Sequence, residues 1–155
     1  MLGRRTTTLL FPFLEAAARS SPPGSTRIIN LSSNGHRVSP VRFHDYNFEG
    51  KEIPEEERPP PNLPPAFAKV HNDSYMPTIA YAQSKTANVL FTVYLQKHLR
   101  YRGIASYAVH PGCRQHDKET ADAISKVSDY WKTVDEGAAT SLVAALDPKL
   151  SGKMP

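Results

Sequence analysis

Two short apolar segments separated by a long amphipathic stretch constrain the fold more than any other feature of this chain. Residues 27–31 include the β-branched Ile28 and Ile29, and loop-forming residues bound them, as in a buried parallel strand. From residue 81 to residue 99 apolar side chains recur with helical spacing, which predicts an amphipathic helix. Gly103 ends that helix, and residues 104–109 form a second strand. This order predicts an α/β fold with two parallel strands and a right-handed crossover.

Further helices are predicted near both ends. Residues 8–19 have helical spacing and are followed by a cluster of Ser, Pro and Gly, while the Ala-rich residues 134–146 end at Asp147 and Pro148. The apolar run 9–14 follows two arginines, as in a signal peptide, but it is shorter than the roughly 7–15 residues expected and Pro12 interrupts it. No stretch reaches the roughly 20 apolar residues of a transmembrane helix. We therefore expect an N-terminal helix packed on the sheet and no transmembrane segment.

Residues 34–77 show no periodicity and predict a long irregular excursion. Six prolines fall within residues 53–65, so we expect a Pro-rich loop at about residues 51–66. Residues 58–64 match the Arg-x-x-Pro-x-x-Pro pattern of polyproline ligands, which dock as preformed helices in aromatic grooves. The loop is therefore either a stiff surface connection or a ligand for a polyproline-reading domain.

Composition limits the classes of function. The chain has 155 residues, enough for one domain with a core, and its net charge of +4 is scattered without a basic block, which argues against nucleic-acid binding. Cys113 is the only cysteine, so no internal disulfide can form, and a reducing, cytoplasmic location is the simplest expectation. The histidines show no metal-ligand spacing with it, so no metal site is expected.

Polar side chains converge at one edge of the predicted sheet. Tyr81 and Lys85 are four residues apart and share one face of a helix. Ser33 follows the first strand while Pro111 and Gly112 follow the second, so all fall at the carboxyl edge, where open α/β sheets bind ligands. An ammonium ion close to a phenol favours loss of the phenol proton. The group therefore predicts a general acid or base, with Ser33 bonded to a substrate oxygen.

The motifs at this edge occur together in a known family. Residues 28–33 (Ile-Ile-Asn-Leu-Ser-Ser), 81–85 (Tyr-Ala-Gln-Ser-Lys) and 109–112 (Val-His-Pro-Gly) resemble the second half of a short-chain dehydrogenase/reductase. The resemblance is closest to the retinol dehydrogenase and WW-domain oxidoreductase-like branch. Residues 90–91, 102–104 and 137–140 share it, so that it spans about residues 8 to 150.

The resemblance implies a role for each matching residue. Tyr81 would be the catalytic acid or base, and Ser33, rather than Ser32, would hold the substrate oxygen. Lys85 would also bind the ribose of the nicotinamide cofactor next to Tyr81, and the turn of Pro111 and Gly112 would lie against the nicotinamide ring. The reaction implied is hydride transfer between NADP or NAD and a small-molecule alcohol or carbonyl compound, in this branch a lipophilic one.

Several family features are not found in the sequence. The family's glycine-rich cofactor turn has no counterpart, because the eight glycines are never closer than nine residues apart. Arg114 and His116 replace the usual aliphatic residue and threonine after Gly112, and residues 151–155 replace the final Gly-x-Tyr strand.

We therefore expect residues 1–155 to form one truncated domain: a partial doubly wound parallel (Rossmann-like) sheet lacking the N-terminal dinucleotide-binding half, with a homodimer through its helices as a further possibility. Without activity, Tyr81 would be an exposed aromatic ring, Ser33 a serine in a turn and Lys85 a solvated cation. The alternative function is then a non-catalytic interaction protein that uses residues 58–64 as a polyproline ligand.

Overall fold

The computed structural model describes residues 2–71, 74–112 and 131–151. In chain order the helices and strands in these ranges are α1 (Leu2–Arg19), β1 (Thr26–Leu31), α2 (Pro77–Leu99), β2 (Ile104–Val109) and α3 (Val134–Leu146). Short 3-10 turns lie between them. The predicted α/β class is confirmed, and both strands and α3 lie where they were predicted. α2 ends as predicted but begins at Pro77 instead of residue 81, because proline suits the first turn of a helix.

β1 and β2 form a parallel two-stranded sheet, in register along their whole length, with Leu31 opposite Val109. The Ser32 amide donates to the Val109 carbonyl at 2.8 Å, so the pairing continues just past β1. α2 provides the crossover between the strands. Gly103 then adopts a φ of 78°, a left-handed conformation that costs glycine little. It ends the helical turns after α2, and β2 begins at the next residue.

The core lies between α1, α2 and the sheet. Its buried centre and the apolar side chains packed against it are Leu95, Leu99 and Ile104, surrounded by Phe11, Leu14, Ala18, Ile28 and Phe91. The N-terminal helix on a sheet is therefore confirmed. α1 begins at Leu2 instead of residue 8, and it continues through Pro12. Within the described ranges, every helix falls short of the length and apolarity that crossing a bilayer requires.

α3 is fixed at both ends. Thr133 and Glu136 form a reciprocal capping box, in which each side chain accepts the backbone N–H of the other residue. At the opposite end the Arg27 guanidinium donates to the carbonyls of Ala144 at 3.1 Å and Asp147 at 2.9 Å. A cation that bonds the last carbonyls also complements the helix dipole. Arg27 thus joins the start of β1 to the end of α3.

The excursion between β1 and α2 is irregular, as predicted, but it is organised around buried carboxylates. Asp45 is only 2% exposed; it pairs with Arg42 at 2.8 Å and accepts the Glu49 amide at 2.7 Å. Glu57 is 7% exposed and accepts both the amide and the ring nitrogen of His44. Burial opposes ionisation of both carboxyls, yet these hydrogen bonds and charges outweigh it and hold the pKa of each below its usual range.

The Pro-rich loop is broken into short pieces. It contains 3-10 turns at Glu55–Glu57 and Pro65–Phe67, with a further turn at residues 61–62. A polyproline ligand needs one continuous extended segment, and the turn interrupts residues 58–64. The ligand role of this loop stays a prediction.

Candidate active site

The carboxyl end of β1 directs two neighbouring serines to different partners. Ser32 is 6% exposed, and its hydroxyl donates to the Lys85 carbonyl at 2.8 Å. Ser33 begins the 3-10 turn Asn34–Arg37, and its Oγ accepts the Gly35 amide at 3.1 Å. Successive side chains of an extended chain point to opposite sides, so Ser32 ties the sheet to α2 while Ser33 turns to the edge. A hydroxyl group that accepts one hydrogen bond can also donate its own proton.

Tyr81 stands on α2 with its ring against the turn after β1, and 51% of it is exposed. A Cβ atom placed on Gly35 would lie 3.0 Å from Cε1 of this ring and 3.5 Å from Ser33 Oγ. The Tyr81 ring and the Ser33 hydroxyl therefore flank the same glycine. Gly35 allows the ring its close approach to the backbone at the end of β1.

The Lys85 ammonium is held at the end of β1. Its Nζ donates to the Leu31 carbonyl at 3.3 Å, and the Asn88 amide donates to the same oxygen at 2.9 Å. Nζ lies 5.4 Å from the centre of the Tyr81 ring, within the range of a cation–π contact. An ammonium has three N–H donors, so one bond to Leu31 leaves others for a ligand. Tyr81 and Lys85 thus form a close pair at the sheet edge.

The turn after β2 packs against the start of α3. Gly112 has a φ of 100°, and the Lys132 side chain fills the space that a Cβ atom at this position would need. A Cβ atom on Gly137 would lie 3.6 Å from the Pro111 carbonyl. The positive φ of Gly112 favours glycine at this position. The turn of Pro111 and Gly112 is therefore fixed in place by α3 and Lys132.

Two histidines link this turn to the one after β1. Partial burial, the Lys132 ammonium and His36 together lower the pKa of His110 from its usual range. His36 in turn places Nδ1 at 2.6 Å from the Ser33 carbonyl, and since a carbonyl only accepts, Nδ1 carries the hydrogen. The turns that follow the two strands thus lie at one edge.

The structure brings Ser33, Tyr81 and Lys85 together and places Pro111 and Gly112 at the same edge, at the end of the paired strand. The sequence analysis missed Gly35 and Asn88, among others. Asn88 had a signal, since it lies three residues after Lys85 on the same helical face. Gly35 had none, because its importance lies in a contact with a ring on a distant helix.

Some predicted features lie outside the described residues. These are Cys113, Arg114, His116 and residues 152–155. Among the described residues, no group of His, Asp or Glu side chains could hold a metal ion.

Curated proteins similar to this chain are named as oxidoreductases or retinol dehydrogenases. The chain is 33% identical over 154 residues to human retinol dehydrogenase 12, and the aligned region covers 94% of the chain and 40% of that protein. It is 33% identical over 138 residues to mouse retinol dehydrogenase 11, covering 86% of the chain and 35% of that protein. It is also 39% identical over 100 residues to the oxidoreductase fscI of Fusarium equiseti, covering 63% of the chain and 38% of that protein.

These relatives confirm the resemblance to the short-chain dehydrogenase/reductase family and to its retinol dehydrogenase-like branch. The chain spans about two fifths of the length of these short-chain dehydrogenase relatives. No family model and no solved structure matches the chain.

Proposed function

We propose that this chain carries the catalytic half of a short-chain oxidoreductase that transfers hydride between NADP or NAD and an alcohol or carbonyl compound. The observation that supports this most is the convergence of Ser33, Tyr81 and Lys85 at the carboxyl edge of β1. Relatives named retinol dehydrogenase and oxidoreductase agree with it.

In carbonyl reduction the chain's own residues handle the proton. The Tyr81 hydroxyl gives its proton to the carbonyl oxygen, and the Lys85 ammonium stabilises the phenolate that remains. The Ser33 hydroxyl donates a hydrogen bond to the same oxygen and orients the substrate. A nicotinamide cofactor, when bound, would supply the hydride for the carbonyl carbon. Alcohol oxidation reverses each step, with Tyr81 as the base.

The residues present fit one end of such a cofactor. Tyr81 and Lys85 would bind the ribose hydroxyls next to the nicotinamide, since Lys85 keeps further N–H donors and the Tyr81 side chain is half-exposed. Pro111 and Gly112 would support the ring. No glycine-rich turn occurs in the sequence to hold the phosphates, so we propose that the sheet is part of a larger Rossmann-like sheet.

The proposed substrate is a lipophilic alcohol or aldehyde. The relatives named retinol dehydrogenase support this class, because a retinoid is a long apolar molecule with one reacting oxygen. Recognition of the reacting oxygen by Ser33 and Tyr81 does not depend on the length of the apolar tail. Retinaldehyde and a short water-soluble aldehyde are therefore suitable contrasting probes.

A fluorescence titration tests cofactor binding. The protein is titrated separately with NADPH and NADH while nicotinamide emission is followed. We expect saturable binding of at least one, weakened about tenfold or more in Lys85→Ala, because a charged hydrogen bond to the ribose is lost. Lys97→Ala is the control, since Lys97 is an exposed residue of the same helix. Absence of saturation with both nucleotides, or equal affinity in Lys85→Ala and Lys97→Ala, would falsify the proposed site.

A further inference from the structure

Gln83 lies inside the reactive motif, yet its side chain serves a different part of the chain. It is 9% exposed, and both ends of its amide are bonded. Oε1 accepts the Arg42 backbone N–H at 3.3 Å, and Nε2 donates to the Tyr46 carbonyl at 2.8 Å. A buried amide with both ends paired fixes its partners strongly, since losing either bond leaves a buried polar group unsatisfied. Gln83 therefore joins the second turn of α2 to the excursion.

The segment that Gln83 binds is itself rigidly built. We call residues 41–49 the brace. Inside it the Arg42 guanidinium pairs with the buried Asp45 and lies 4.5 Å from the centre of the Phe48 ring. Phe48 is 5% exposed and meets the Tyr75 ring edge-on at 5.4 Å, while the Ser74 hydroxyl donates to the Phe48 carbonyl at 2.5 Å. The brace is thus anchored both to Gln83 and to the residues just before α2.

The start of α2 depends on this support. Met76 is the N-cap and makes no side-chain hydrogen bond to the first turn. Ile79 and Ala82 are fully buried. One turn further on, the Thr86 hydroxyl lies 2.7 Å from the Ser39 carbonyl, so a second polar side chain on α2 bonds the residues that precede the brace. Side chains of the second and third turns of α2 thus bond the excursion directly.

We propose that Gln83 is a positioning residue: it locks the brace onto the helical turn that carries Tyr81 and Lys85, so that both side chains keep their orientation toward Ser33. The importance of this turn for catalysis rests on the proposed function, whereas the locking itself does not. Gln83 needs no contact with substrate or cofactor in this role.

Hydrogen exchange measured by mass spectrometry on the intact chain tests the proposal. Gln83→Met keeps the volume of the side chain and removes both hydrogen bonds. Gln83→Glu near neutral pH accepts from Arg42 but cannot donate to Tyr46. When the pH is lowered until this carboxyl group is protonated, the group can donate again. Gln96→Met is the matched control, because Gln96 Oε1 on the same helix accepts the Ser106 amide of β2 at 2.8 Å.

In Gln83→Met we expect amides of residues 41–49 and 79–85 to exchange about tenfold faster, with β1 unchanged. In Gln83→Glu, the same amides should exchange fast near neutral pH and slowly again at lower pH, after correction for intrinsic exchange rates. Gln96→Met should affect β2 and leave the brace unchanged. Unchanged brace exchange in Gln83→Met, or no restoration in Gln83→Glu, would overturn the proposal.

If Gln83→Met fails to fold, the pH response of Gln83→Glu decides alone. If protonation restores slow exchange in the brace, the proposal is supported. If exchange in the brace stays fast, the proposal is overturned. These results do not depend on cofactor binding. Failure of the lock therefore leaves the NADPH titration untouched, and failure of that titration leaves the exchange result standing.

Discussion

Ser32 and Ser33 are adjacent in the sequence, but the structure gives their hydroxyl groups different surroundings. The family resemblance assigned the substrate oxygen to Ser33, and the structure places the Ser32 hydroxyl on the Lys85 carbonyl while Ser33 flanks Gly35 beside Tyr81. The residue types and their order along the chain were sufficient to predict this cluster. The contact with Gly35 was not predictable, because it depends on how closely α2 approaches the turn after β1. The catalytic role of Ser33 stays a proposal.

At the same scale, His110 should make stability depend on pH. Its folded-state pKa lies below the usual value of 6.5, chiefly because of burial. The unfolded state then binds more protons, so this contribution to stability is complete above about pH 6.5 and is lost as the pH falls toward the folded-state pKa. Urea denaturation between roughly pH 5 and 8 should show this decline, and His110→Asn should flatten it.

The exposed histidine His98, changed to Asn, is the control for this measurement. It should leave the pH dependence of the unfolding free energy close to that of the parent chain. An identical decline in His110→Asn would contradict this prediction, because the decline would then come from other groups.

At the scale of elements, apolar periodicity was a sufficient guide for the strands and for α2 and α3. The predicted start of α1 was wrong by six residues, because the apolar pattern that packs on the core begins only near Phe11 and does not mark where the helix starts. The link between Arg27 and α3 could not be inferred, because Arg27 and Ala144 are 117 residues apart in the chain. The order within the excursion was missed for a different reason, because its buried ion pairs leave no periodic pattern in the sequence.

Removing the Arg27 side chain should loosen α3. Arg27→Met keeps the aliphatic length and loses the bonds to the Ala144 and Asp147 carbonyls, which are charge-assisted and partly buried. We expect about 2 kcal/mol of destabilisation in urea denaturation. Arg19→Met is the control, because Arg19 is largely exposed and lies 4.0 Å from Glu15, and such a pair contributes at most about 1 kcal/mol. Equal stability of the two variants would contradict the capping role of Arg27.

At the scale of the whole molecule, two parallel strands carry a site that opens along one sheet edge. The sequence predicted this edge because strand ends and helix starts coincide in space whenever parallel strands are joined by a crossover. It could not predict how the excursion supports α2, since that support consists of single long-range hydrogen bonds. Large apolar side chains on α1 and α3, including Leu9, Phe13 and Leu146, are exposed, as expected for part of a larger α/β sheet with helices on its faces.

The most direct test of the proposed function is proton transfer by Tyr81. Aldehyde-dependent oxidation of NADPH and of NADH should be followed for the parent chain, for Tyr81→Phe and for Tyr94→Phe, with retinaldehyde and a short aldehyde as substrates. Tyr94 is a suitable control because it is an exposed tyrosine of the same helix. We predict turnover of retinaldehyde by the parent chain and by Tyr94→Phe, and a loss of about 100-fold or more in Tyr81→Phe. Equal rates in Tyr81→Phe and Tyr94→Phe, or no turnover by the parent chain with either nucleotide, would contradict the proposed function.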